Sequence, residues 1–414
     1  MRHIDEDSKQ RLVAVSLSLV PEPITLSSLE EVATTPKLFT PIQNGFMHLR
    51  HRVVHAPTSR YRADTDSVPL MPIVGEYYEQ RARVPGTLLI SEGTLISREA
   101  GGAPNVPGIW DDRQVAAWKE VANRVHKNNS YVFLQIYALG RAANPDILDS
   151  SGLPYVSASD IPLPLSSIQS HTHPDRLPVV RRPSALTARG MEIYVQQCAR
   201  AAVNVVQKAG MDGVEIHAAG GYLIDQFLQD TSNNRTDEYG GSVENRARFP
   251  LRVVEAVVQE IGEERTGVRI SPWSKYQGMG MNDPRPTFAY FVNELKYRFP
   301  RLAYLHVQEA RADGWDTVAN VPEGFENDFI REIWGDGVLI SSGGYERELA
   351  IEVAETKGDV VAFGRQFIAN PDLPFRLMHN LPLAKGDRGK YYTCGSTDAS
   401  GYTDYPFSKE FLAT

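Results

Sequence analysis

Residues 337–365 read GVLISSGGYERELAIEVAETKGDVVAFGR, and this stretch decides the fold. Its two ends, GVLISSGG (337–344) and DVVAFGR (359–365), are short apolar runs closing in small or polar residues. Each is too short for a helix and is bounded by Gly, so each predicts a buried strand. The segment between them reads as a helix. The same alternation recurs upstream in HRVVHAPTS (51–59), TLLISEGTL (87–95), YVFLQIYALG (131–140), GVEIHAAGG (213–221), GVRISPW (267–273) and LAYLHVQ (302–308). That makes eight strand candidates in all. Thr187 is placed to cap a helix carrying Tyr194, Cys198, Ala202 and Val205 on one face. Ser242 is placed to cap another, with Leu251, Val254, Val258 and Ile261 as its stripe.

Apolar strands alternating with amphipathic helices predict a parallel sheet covered by helices. Eight such units favour closure into an α/β (β/α)8 TIM barrel, because a closed ring leaves no edge strand. The competing doubly wound fold wants a GxGxxG turn after its first strand, and here the first strand ends in Pro57-Thr58-Ser59. Residues 1–35 read as an N-terminal extension and 36–414 as a single barrel domain.

The chain has 414 residues, 42% hydrophobic and 23% charged, enough to bury a full core. A formal charge of −8 with no dense run of Lys and Arg argues against nucleic acid. No apolar run approaches the roughly 20 residues of a membrane span. The mildly apolar Leu12–Val20 follows an acidic start, unlike a secretory signal. Cys198 and Cys394 are far apart, which argues against a disulfide framework and fits a reducing, cytoplasmic compartment.

The longest gap between strands follows the third and holds 151–184, rich in Pro and Ser. In a barrel it leaves the C-terminal face, as a lid, a substrate wall or a solvated insertion. His171-Thr172-His173 within it lacks a carboxylate partner, so no metal is expected.

Polar side chains inside strands need a reason, since an unpaired buried charge costs several kcal/mol. Gln135, Arg269 and His217 stand near strand ends beside Gly-rich turns, which points to a polar ligand. Glu215 and His306 are instead expected to face outward against helices. The seventh strand ends in Ser341-Ser342-Gly343-Gly344 and the eighth in Phe363-Gly364-Arg365. Loops after strands seven and eight often hold a phosphate, with glycine N–H groups and a forked guanidinium as donors. A phosphate there, with Gln135 and Arg269 deeper in the mouth, spans a molecule the size of FMN. A phosphorylated substrate would suit the same loops.

Several longer blocks are more specific: EYYEQRA (76–82), ISEGTLIS (90–97), VPGIW (106–110), DGVEIHAAGGYLIDQFLQDTSNNRTDEYGGSVENRARF (212–249) and FGRQFIANPDLPFR (363–376). From KLFTPI (37–42) to GYTDYP (401–406) the chain resembles the Old Yellow Enzyme family of FMN-containing ene-reductases, most closely its fungal secondary-metabolism branch. The resemblance implies an FMN cofactor, NADPH as reductant and a small enone or enal substrate. It implies that Pro57, Thr58 and Ser59 line the flavin, with Ser59 where the family usually has Thr. Gly93 and Gln135 would contact the pyrimidine edge and Arg269 would lie by N1 and O2. Gly343, Gly344, Gly364 and Arg365 would hold the phosphate. Tyr137, where a Trp is common, Tyr276 and Tyr392 would face the substrate, although the segment after Tyr392 is longer than the family's.

The family activates the substrate carbonyl with two donors, His-x-x-Asn or His-x-x-His, followed two residues on by a Tyr that supplies a proton. Here the sequence is His217-Ala218-Ala219-Gly220-Gly221-Tyr222. The first donor and the tyrosine stand as the catalytic candidates, and the second donor has become Gly220. The resemblance implies C=C reduction of an α,β-unsaturated carbonyl compound, with Gly220 widening the substrate site. Two alternatives stay open: a redox-neutral double-bond isomerase moving protons on His217 and Tyr222, and a non-catalytic flavin-binding protein.

Overall fold

The protein is described here from a computed structural model that covers residues 35–169, 180–314 and 316–414. The 1–34 segment and His171-Thr172-His173 fall outside the described residues.

All eight strand candidates form strands: β1 (Val53–His55), β2 (Leu88–Ile90), β3 (Tyr131–Tyr137), β4 (Gly213–Ala218), β5 (Thr266–Ile270), β6 (Tyr304–Gln308), β7 (Leu339–Ser342) and β8 (Val360–Phe363). Each pairs in parallel with its neighbours in sequence. β8 pairs in parallel with β1, so the sheet closes into a TIM barrel and no doubly wound edge remains. The principal helices are α1 (Ile73–Arg81), α2 (Asp112–His126), α3 (Ala188–Val203), α4 (Val243–Ile261), α5 (Arg285–Arg298), α6 (Asp328–Trp334) and α7 (Arg347–Lys357). Thr187 caps α3 through Gly190 N and Ser242 caps α4 through Asn245 N, as their sequence positions predict.

Strand alternation divides the side chains. Leu134, Ile136, Val214, Ile216, Val268, Leu305 and Val307 join the outer core with Trp118, Tyr194, Val254 and Phe291 of the helices. The opposite face fills the barrel: Val54, Leu88, Ile90, Phe133, Tyr304, Ile340 and Val360 pack with Met47 and Leu49 of the Ile42–Asn44/Met47–Leu49 hairpin into an apolar floor. Gly213 and Gly267 make room there, since a Cβ on either would lie 2.4 Å from a ring atom of Phe133 or Tyr304.

Above that floor the interior turns polar, and the outward reading of Glu215 and His306 is overturned. Glu215 is two residues from His217 on one strand, so the two share a face, and Glu215 is in register with Gln135. His306 is in register with Arg269, which is itself paired with His217. All five therefore point inward, and Glu215 and His306 are fully buried.

The 151–184 segment does not wall the barrel mouth with its described residues. Those described residues pack to one side, where Val156–Ser157 pairs with Ser184–Ala185 and the Ile161 and Pro162 carbonyls accept from Arg141.

Gly267→Ala drives a methyl group into the Tyr304 ring. We expect a loss of about 1–3 kcal/mol of stability, read as a lower urea midpoint. An unchanged midpoint would show that the floor is looser than described.

Candidate functional site

At the C-terminal end of the barrel lies a cavity of about 440 Å³, within the roughly 300–1,000 Å³ typical of small-molecule sites. Pro57, Thr58, Ser59, Gln135, His217, Gly220, Tyr222, Arg269, Tyr276, Gly343, Gly344, Gly364, Arg365 and Tyr392 all line it. Gly93 and Tyr137 stand behind that wall. A Cβ on Gly93 would lie 3.1 Å from the Tyr137 ring and 3.4 Å from Gln135 Oε1. Tyr137 stacks on His217 at 5.8 Å and meets Tyr222 edge-on at 4.9 Å, so it fixes both rings from the rear.

The deep end of the cavity is polar and charged. Gln135 Nε2 donates to Glu215 Oε1 at 2.7 Å, and Arg269 Nη2 donates to Gln308 Oε1 at 3.0 Å. Arg269 Nε and His217 Nδ1 are buried with no partner in the protein, and so is Thr58 Oγ1. Unsatisfied groups of this kind cost free energy unless a ligand meets them. Burial first, and then the positive charge of Arg269, push the His217 imidazole well below its ordinary range, so it stands neutral. Its ring lies 4.9 Å from that of Tyr222. Burial raises the Tyr222 hydroxyl to about 12, so it keeps its proton at neutral pH.

The other end is built from glycine and arginine. Gly343 and Gly344 have φ of +113° and +67°, conformations that favour Gly and expose backbone N–H groups. Arg365 is exposed and donates from Nη2 to Thr317 Oγ1 at 2.5 Å. Thr317 belongs to a small hairpin after β6, Ala312–Asp313 with Asp316–Thr317, which the sequence reading missed. Gln308 was missed as well, although alternation from Arg269 and His306 would have placed it inside. Tyr391 and Tyr392 reach the mouth because Arg60 and Arg62 hold the C-terminal segment. Arg60 donates to the Tyr391 and Gly401 carbonyls and Arg62 to that of Ser396. Gly395 N donates to the Tyr61 carbonyl, and Tyr61 meets Tyr392 edge-on at 6.0 Å.

The cavity thus joins an anion cradle at its rim to neutral and cationic donors in its depth, an arrangement that fits FMN. The sequence model of the NADH:flavin oxidoreductase / NADH oxidase family matches residues 37–384. The chain belongs to that family. It is 46% identical to chanoclavine-I aldehyde reductase fgaOx3 of Penicillium roqueforti, over 91% of this chain and 97% of that one. It is 43% identical to a probable inactive reductase, easA, of Epichloe festucae var. lolii, over 92% and 97%. Among solved structures, the Old Yellow Enzyme of Pichia sp. superimposes with a TM-score of 0.80 at 36% identity, covering 90% of this chain and 94% of that one. The protein is an FMN-dependent NAD(P)H oxidoreductase of the Old Yellow Enzyme type. No helix among the described residues is long and apolar enough to cross a membrane, and no metal-ligating cluster occurs among them.

Because His217 is held neutral, its charge does not change as pH falls from 8 to 6, where an ordinary imidazole begins to gain a proton. We expect ring resonances of His217 that stay flat over this range. A titration centred near 6.5 would refute the electrostatic picture of the site.

Proposed function

We propose that the protein reduces the C=C bond of an α,β-unsaturated aldehyde or ketone, in a fungal secondary-metabolite pathway. The observation that carries this reading is the pairing of a neutral His217 with a protonated Tyr222 on one wall of the cavity. The relatives named as aldehyde reductases support it. In this reading Pro57, Thr58, Ser59, Gln135 and Arg269 hold the flavin ring, with Gly93 behind Gln135. Gly343, Gly344, Gly364 and Arg365 hold the phosphate, and Tyr276 and Tyr392 bound the substrate. FMN, when bound, supplies a hydride renewed from NADPH.

The residues of the chain carry the rest of the reaction. His217 donates a hydrogen bond to the substrate carbonyl oxygen, where negative charge grows as the β carbon becomes saturated. Tyr222 gives its proton to the α carbon, and burial keeps that proton in place until the carbon becomes basic. Tyr137 holds both rings in register.

Gly220 stands where a second donor would stand. Its φ of +62° places it in the left-handed region, and a Cβ there would meet nothing closer than 3.7 Å. Its N–H is already engaged by Ser271 Oγ at 2.8 Å. The space beside His217 suits a bulky substrate whose carbonyl relies on one side-chain donor. It would also accept Asn, the non-glycine residue most tolerant of this backbone conformation.

The test is anaerobic addition of NADPH, which should bleach the flavin, followed by an enal, which should restore its colour. The product should gain two hydrogens by mass. Conversion without NADPH and without a mass gain would mark an isomerase, and a colourless, inert protein a scaffold. His217→Ala should slow flavin reoxidation by the enal about 100- to 1,000-fold, and an undiminished rate would remove His217 from the mechanism. Gly220→Asn should speed reduction of small enones such as cyclohexenone. No gain would count against the missing-donor account.

A further inference from the structure

Beneath the mouth, a row of hydrogen bonds crosses the barrel interior over four strands. Gln135 Nε2 donates to Glu215 Oε1 at 2.7 Å, Glu215 Oε2 meets His306 Nδ1 at 2.8 Å, and His306 Nε2 meets Ser342 Oγ at 2.9 Å. Every member is buried, and Glu215 and His306 are completely so. Apart from Gln135, the row has no part in the proposed reaction, and a carboxylate is expensive to keep in such a place.

The arrangement shows which charge state is held. Burial works against ionising Glu215, but His306, and then Arg269 and the Gln135 amide, outweigh it and keep the carboxyl below its usual range. Burial also lowers His306, against the pull of Glu215. Glu215 accepts from the Gln135 amide on one oxygen and meets His306 Nδ1 on the other, the surroundings of an ionised carboxylate, while burial disfavours a charge on the imidazole. Ser342 satisfies the other ring nitrogen and fixes the ring. Arg269 is adjacent: its strand pairs with β4 on one side and β6 on the other, and its guanidinium is among the charges that act on both Glu215 and His306. The polar layer thus holds one fixed cation and one fixed anion.

We propose that Glu215, locked by His306 and Ser342, is the internal counter-charge that limits how far Arg269 stabilises reduced flavin, and so holds the reduction potential of the cofactor down. The inference rests on the reading that Arg269 lies at the N1–O2 edge of the flavin, where negative charge collects on reduction. A lone arginine there would favour the reduced form strongly and weaken it as a hydride donor. The carboxylate restores the balance, and through Gln135 it also fixes one amide that faces the ring. Its charge acts at a distance, so Glu215 is a positioning and tuning residue that touches neither substrate nor flavin.

The experiment is the two-electron midpoint potential of the holoenzyme, measured by dye equilibration during anaerobic reduction, beside the affinity of the apoprotein for oxidised FMN. Glu215→Gln keeps the shape and removes the charge. We expect its potential to rise, by an amount equal to a gain of about ten- to a hundredfold in affinity for reduced over oxidised FMN. Arg269→Met should move the potential the opposite way. If the arginine variant shifts it and Glu215→Gln changes only thermal stability, Glu215 is merely structural and the proposal is overturned. If neither variant moves the potential, the placement of Arg269 at the flavin fails first. Should Glu215→Gln not fold, Glu215→Asp retracts the charge by one methylene. It should then give a smaller rise of the same sign, and no rise would overturn the proposal.

Discussion

A guanidinium rooted inside a closed ring of strands has little water around its base, so part of its charge has to be met from within. Arg269 is half-buried there, with its Nε shielded from solvent, and its neighbours are arranged to suit it. Glu215 supplies the opposite charge, Gln308 accepts one N–H, and His217 is held neutral in part by the same field. The Nε–H remains unpaired in the protein. That leftover donor, together with unpaired atoms on Thr58 and His217, makes the barrel mouth a polar cavity with groups left for a ligand to meet.

The barrel separates two tasks by height. The lower interior is a tight apolar plug in which Gly213 and Gly267 yield space to Phe133 and Tyr304. The upper interior carries charge and donors. A rigid floor keeps the polar layer from relaxing toward solvent, and this rigidity lets fixed dipoles stabilise developing charge without reorganising. The loops then add the glycine pair, Arg365, Tyr391 and Tyr392 around the mouth. Buried arginines hold the 391–402 segment to the body of the barrel.

The catalytic loop shows how much one position can alter. Gly220 leaves space beside His217 where a side chain would stand, and the backbone there keeps a left-handed turn pinned to Ser271. Relatives of similar identity carry names that range from aldehyde reductase to probable inactive reductase. A shared fold therefore does not by itself fix the activity.

The sequence by itself determined the eight strands, the caps at Thr187 and Ser242 and the glycines and arginine that line one end of the cavity, because each rests on local periodicity or on a short motif. His217, Arg269 and Gln135 were legible too, as polar interruptions of apolar strands. Only the tertiary structure decided which way Glu215 and His306 face, since a face has meaning only once the strand has a register and the barrel an inside. It also decided that Tyr137 and Gly93 back the wall, that Gln308 and Thr317 join the site, and that the described part of 151–184 stays aside. Those facts depend on contacts between residues far apart in the chain, which no local pattern encodes.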